Sequence, residues 1–163
     1  VIALVSCGKA KLDYAAPAKE MYTGNLFRAA LDYCTARHDR VLILSAKYGL
    51  LAPEQVITPY DVTLADLPYD ARVRWGKKVV RQLIYPYRIH WDGFVLSTWP
   101  GVEVHAGEEY LRHLISPMAE YRIEVHVPCR GMQIGERLSF YKKARTSHKD
   151  SPAPGFRILS TEK

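Results

Sequence analysis

Three groups of residues have the types and spacing for chemistry, and each follows an apolar run. The first is Ser6-Cys7-Gly8-Lys9-Ala10-Lys11, directly after the aliphatic residues 1–5. Backbone N–H groups around Gly8, with Lys9 or Lys11 beside them, can hold a phosphate or another oxyanion. The GxxxxGK[ST] spacing of a triphosphate-binding loop is missing, so nucleoside triphosphate hydrolysis is not expected. Cys7 offers a thiol, but no histidine lies near it in sequence to act as its base; a small buried cysteine is the competing reading. The second group follows the aliphatic run 41–44 and contains Ser45, Lys47, Tyr48, Gly49, Tyr60 and Asp61. Asp61 is the candidate carboxylate, although an Asx turn or a cap would use the same residue. Lys47 is suited to an ion pair with Asp61, to a phosphate or to solvent. The third group is Trp99, His105, Glu108, Glu109 and Tyr110. Aromatic rings there can stack a base, while acids at a helix start also complement the helix dipole.

These groups need elements to hold them. Uninterrupted aliphatic runs at 1–5 and 41–44 read as strands buried on both faces. A helix between them is expected over 26–34, where Leu26, Phe27, Ala30, Leu31 and Cys34 share one face, capped by Thr23 or Asn25. A strand–helix–strand unit of this kind makes the two strands parallel and brings the loops that leave them to one rim. A second helix is expected over 69–84, with Asp66 as its cap, Pro68 in its first turn and a cationic outer face of Arg72, Arg74, Lys77, Lys78 and Arg81. Strands follow at 93–97 and at 123–127, the latter near an edge. Helices follow at 108–115, stopped by Pro117, and at 136–144. The alternation gives one α/β domain over 1–145: a three-layer α/β/α sandwich on a mostly parallel four-stranded sheet. Residues 146–163 read as a loop-like basic tail.

Composition narrows the partners. The chain of 163 residues carries a net charge of +6, and its hydrophobic content of 48% is that of an ordinary globular domain. Residues 128–163 hold eight Lys/Arg against three acids, which leaves 1–127 near neutrality. A basic segment beside a neutral core suits phosphate-bearing partners, nucleic acid above all. No apolar run approaches the ~20 residues of a membrane helix, so no membrane partner is expected. The three cysteines, Cys7, Cys34 and Cys129, form no CxxC pair. Neither a metal nor another cofactor is expected, and reduced thiols fit a cytoplasmic protein.

Taken together, the motifs resemble a family of bacterial and phage proteins. They are Ser6-Cys7 with Lys11, then Tyr22-x-Gly24-x-Leu26-Phe27, then residues 43–64 (ILSAKYGLL-x-P-x-x-x-I-x-PYD-x-T-L), then a Gly-containing turn into residues 134–138 (IGERL). That resemblance spans Ser6 to about residue 143, and the family in turn looks like the archaeosine synthase domain that carries a Pro-Cys-x-x-x-Lys loop and a Ser-Pro-x-Gly-Leu-x-Pro stretch. Cys7, Lys11, Ser45, Gly49, Leu50, Pro53, Tyr60 and Asp61 carry that match. More distantly the chain resembles the uracil-DNA glycosylase-like fold. It departs from those enzymes in lacking their GQDPYH and His-Pro-Ser loops, so uracil specificity does not carry over.

The resemblance implies a glycosylase-like enzyme that cleaves the N-glycosidic bond of a modified base in DNA, with anti-phage defence as a context. Such cleavage needs a carboxylate to stabilise the oxocarbenium-like sugar. Asp61 is the first choice, followed by Asp13 and Glu108. Lys47 or His105 would assist the leaving base. Tyr14, Tyr48, Tyr60 and Trp99 would wall a flipped nucleotide. Ser6, Lys9 and Lys11, with Arg130, Arg137, Lys142 and Lys143, would meet phosphates. The archaeosine synthase likeness keeps a transferase or ligase of 7-deazaguanine-type metabolism in view, and a non-catalytic module that binds modified nucleic acid is the third reading.

Overall fold

A computed structural model describes residues 1–85, 101–146 and the strand at 156–158. β1 (Ile2–Ser6) is the aliphatic strand expected, and its Ala3, Leu4 and Val5 are fully buried. The chain continues through a short β2 (Ala16–Pro17), a single turn of helix α1 (Ala18–Met21) and α2 (Asn25–Thr35) into β3 (Arg40–Ser45). β1 and β3 pair in parallel, from Ile2 opposite Arg40 to Ser6 opposite Leu44. α2 starts at Gly24 without a side-chain cap, so neither Thr23 nor Asn25 plays the role expected.

A turn then reverses the chain into β4 (Gly49–Leu51), antiparallel to β3. β5 (Val56–Ile57) pairs with β2 in a separate small sheet. Asp66 caps not the long helix but the 3-10 turn Leu64–Asp66, where its side chain and that of Thr63 reciprocate. α3 (Tyr69–Ile84) follows, with Pro68 at its N-cap. After it come β6 (Val102–His105), α4 (Glu108–Glu120), β7 (Val125–Val127), α5 (Ile134–Thr146) and β8 (Phe156–Ile158).

The main sheet has the order β4-β3-β1-β6-β7-β8. Its four inner strands run parallel, and the strands at both edges are antiparallel. Among the described residues the sheet is therefore mixed and six-stranded, which corrects the expected mostly parallel sheet of four. At β4 the reason is local: the tight turn after Ser45 can return a strand only antiparallel to its neighbour, whereas parallel pairing needs a crossover. The expected strand at 93–97, and Trp99 with it, lie outside the described residues. β7 is shorter than expected and sits one strand in from the edge, because the tail read as loop-like supplies β8.

Helices cover both faces, giving three layers. On one side α3 and α4 bury Trp75, Val79, Val80, Leu111 and Leu114 against Leu4, Leu44 and Val104. On the other, α2 and α5 bury Phe27, Tyr33, Cys34 and Tyr141 against Ala3, Val5 and Ile43. Pro117 does not end α4, which runs on to Glu120 with Pro117 buried inside it. A proline removes one helical hydrogen bond and frees the carbonyl four residues earlier. That carbonyl, of His113, packs on Gly76 of α3, where any Cβ would clash with it. The proline thus falls where the two helices touch backbone to backbone.

Candidate active site at the carboxyl ends of β1 and β3

The loops after β1 and β3 meet. The Cys7 N–H donates to the Leu44 carbonyl at 2.9 Å, which ties the first loop to the end of β3. From there a chain of hydroxyls crosses the rim. Ser45 Oγ lies 2.7 Å from the Tyr60 hydroxyl, and that hydroxyl lies 2.7 Å from the Tyr22 hydroxyl. The Tyr48 N–H donates to Ser45 Oγ at 3.1 Å. The thiol of Cys7 sits 3.3 Å from the Tyr110 hydroxyl in the first turn of α4, and 3.8 Å from Tyr60 Oη, which donates to it. Lys11 Nζ stands 4.5 Å from the centre of the Tyr60 ring and Lys47 Nζ 5.8 Å. Tyr48 meets the same ring edge-on at 5.6 Å.

The backbone behind this cluster is held by α3. Trp75 Nε1 donates to the Ser45 carbonyl at 2.9 Å. Gln82 accepts from the Leu50 N–H at 2.9 Å and donates to the Tyr48 carbonyl at 3.3 Å. Gly49 lies between these bonds at φ +82°, a conformation that favours glycine, and a Cβ there would strike the Gln82 amide. Burial, with the neighbouring Cys7, pushes the Tyr22 hydroxyl up to about 12. Burial likewise holds Tyr60 and Tyr110 far above the ordinary tyrosine value. All three keep their protons at neutral pH and can donate hydrogen bonds. The rim is thus a set of neutral donors and one thiol, with two ammonium groups over its central ring. That arrangement suits a ligand that carries or develops negative charge.

The candidate residues divide. Cys7, Lys11, Ser45, Lys47, Tyr48 and Tyr60 come together, with Ser45 fully buried and so acting through Tyr60. Ser6 and Gly8 are half-buried beside them and Lys9 is exposed. Asp61 directly follows Tyr60, but it is exposed and joins none of the described hydrogen bonds or ion pairs. Asp13 and Tyr14 are exposed. Glu108 is exposed and pairs with Arg130 at 3.3 Å, so a candidate carboxylate and a candidate phosphate ligand occupy each other. Tyr110, from the third group, joins the cluster through Cys7. Tyr22 was not among the candidate site residues, yet it belongs to the cluster, and the Tyr22-x-Gly24 motif signalled it.

His105 is not a rim residue. It ends β6, fully buried under α2 and α5, and donates through Nε2 to Glu103 Oε1 at 2.7 Å. His38 Nε2 donates to the same oxygen at 3.0 Å, and His126 Nδ1 lies 3.2 Å from the other. With its Nε2–H donated to the Glu103 carboxylate, His105 Nδ1 accepts from the Tyr141 hydroxyl at 2.9 Å. Burial lowers the His105 pKa, with the Glu103 carboxylate opposing. Burial would raise that of Glu103, but the bonds from His105 and His38 outweigh it and hold the carboxyl well below its usual range. Among the described residues no cluster has the arrangement of a metal site.

The basic residues of the C-terminal part also divide. Lys142 is exposed on α5 and lines an open groove of about 1060 Å³ between α2 and α5, with Lys19, Arg28, Arg37 and Arg145 as further cations and Asp32 as the acid. Lys143 is exposed as well. Arg137 is buried and so stands apart from the exposed cations of this surface. No helix among the described residues is long and apolar enough to cross a membrane.

No curated protein and no solved structure matches the chain. Residues 2–143 match one family model, described as a family of unknown function, DUF6884. That match takes in every described element except the last residues of α5 and β8, and the chain belongs to the DUF6884 family.

Proposed function

We propose that the rim at the ends of β1 and β3 is the active site of a cytoplasmic enzyme that acts on a modified base in nucleic acid, DNA first, by breaking its N-glycosidic bond. The observation that carries this reading is the Tyr60 ring, with Lys11 and Lys47 over it and its hydroxyl held by Ser45 and Tyr22. An aromatic wall dressed with cations is what a flipped, electron-rich base and its phosphates require. Asp61, the next residue, stands open to solvent at the lip and supplies the carboxylate once substrate covers it. Lys47 assists the departing base. A uracil-DNA glycosylase-like arrangement and a role in anti-phage defence accompany this reading.

One observation favours a second reading, base exchange by a transferase. Cys7 lies inside the hydroxyl cluster, in contact with Tyr110 and Tyr60, whereas Asp61 lies outside it. A thiol so placed suits covalent transfer better than hydrolysis. Both readings are tested by incubating the protein with DNA that carries modified cytosines, uracils or 7-deazaguanines and measuring released base and abasic sites. Release that Asp61→Asn abolishes and Cys7→Ser spares supports hydrolysis. Release that depends on Cys7 and on an added acceptor base supports exchange. Binding without release, for every base tried, leaves a recognition module.

A further inference from the structure

Arg137 is 8% exposed, and its Nε has no hydrogen-bond partner. Among the described residues its guanidinium makes no ion pair at all. A guanidinium so buried is rare without a counter-charge, because most of its hydration is lost with no ion pair in exchange. The nearby carboxylates are committed elsewhere: Glu103 to three histidines, Glu108 to Arg130, Glu109 to Arg72 and Glu136 to the Gln133 N–H.

What the guanidinium faces makes the imbalance worse. Its Nη1 lies 3.9 Å from the point a Cβ would occupy on Gly107. Gly107 is the N-cap of α4, a helix of 13 residues with no side-chain cap. The first amides of a helix have no acceptor inside it, and they carry the positive end of its dipole. A positive helix end and a buried cation therefore meet across a residue that has no side chain. Two like charges held together in a poorly solvated place call for an anion between them.

We infer that Arg137 and the N-terminus of α4 form a binding site for a phosphate group. The planar fork of the guanidinium matches two phosphate oxygens, and the Glu108 and Glu109 amides supply donors to the others. α4 starts where β6 ends, on the side of the sheet to which β1 and β3 send their loops, and Tyr110 of its first turn touches Cys7. A phosphate held there is a neighbour of the tyrosine cluster. Where that cluster binds a nucleotide, as proposed above, this site takes a phosphate of the same nucleotide; that last step rests on the proposed function, but the phosphate site does not.

The test uses the full chain and reads binding rather than activity. Thermal unfolding is followed with inorganic phosphate, a nucleoside 5′-monophosphate, the corresponding nucleoside and a short single-stranded oligonucleotide, each against chloride at equal ionic strength. Phosphate at a hundredfold excess over its Kd should raise the melting temperature by about 5 °C or more. Arg137→Met should weaken phosphate at least about tenfold. A monophosphate that binds more tightly than phosphate identifies a free nucleotide as the source, and an oligonucleotide that does so identifies the nucleic-acid backbone. Gly107→Asp guards against a variant that fails to fold: a carboxylate placed at the N-cap beside Arg137 should raise the melting temperature without ligand and abolish the phosphate response. The inference is overturned if phosphate gives no shift beyond chloride, or if Arg137→Met or Gly107→Asp leaves the shift intact. Loss of base release with phosphate binding retained would sink the proposed function and leave this site standing.

Discussion

Two polar clusters sit on the same sheet and follow opposite rules. Around Glu103, one carboxylate takes hydrogen bonds from three histidines, and His105 passes the chain on to Tyr141. Little of it meets solvent. At the rim, Tyr22, Ser45 and Tyr60 form a neutral chain, while Lys11 and Lys47 bring positive charge and no described carboxylate joins them. The first cluster is closed and balanced, as a buried charge must be to persist. The second is open and unbalanced, as a group of residues waiting for a ligand is. Histidine next to glutamate looks more like chemistry than tyrosine next to serine, but here saturation marks structure and incompleteness marks the site.

This contrast breaks first at Glu103. Glu103→Ala strands the histidines and should cost about 3–5 kcal/mol, read as a lowered urea midpoint, without changing nucleic-acid affinity in whatever fraction stays folded. Acid gives the next largest effect. His105 has a lowered pKa in the fold, so the unfolded chain binds its proton first, and stability falls as pH drops below about 6.5. Glu103 is lowered too, so its share is present above about 4.3 and is lost below that. Thermal melts from pH 8 to pH 2 should therefore decline in two stages, and Glu103→Gln should remove the lower one. Tyr60→Phe at the rim should cost only about 1 kcal/mol of stability, yet abolish base release or binding. Lys47→Gln should leave the melt within about 0.5 kcal/mol and make nucleic-acid binding less steep in salt by about one unit of slope. If Tyr60→Phe and Glu103→Ala proved equally destabilising, the distinction between the clusters would fail.

Sequence carried some of this well. α3 occupies the expected residues because its apolar period is regular and prolines flank it at 68 and 86. The meeting of the β1 and β3 loops follows from parallel pairing, which a strand–helix–strand unit forces. β6 was illegible for a physical reason. Residues 102–105 (VEVH) put a glutamate and a histidine into a buried strand, and that is tolerable only because partners arrive from His38, His126 and Tyr141. Those partners are distant in sequence, so His105 read as a loop residue. Pro117 misled in the same way, since the carbonyl it frees is met by Gly76 on another helix. Asp61 was chosen for its chemistry, but its exposure depends on how the loop turns after Tyr60.

Trp75 and Gln82 have a bearing on how this family can diversify. Both grip main-chain atoms of residues 45–50 from the rear, so the path of that segment is dictated by α3 rather than by its own outward-facing side chains. Positions such as Lys47 and Ala52 can then be exchanged without displacing Ser45. A frame clamped from behind lets selection retouch the front of the site, one substituent at a time, as the molecules it meets change.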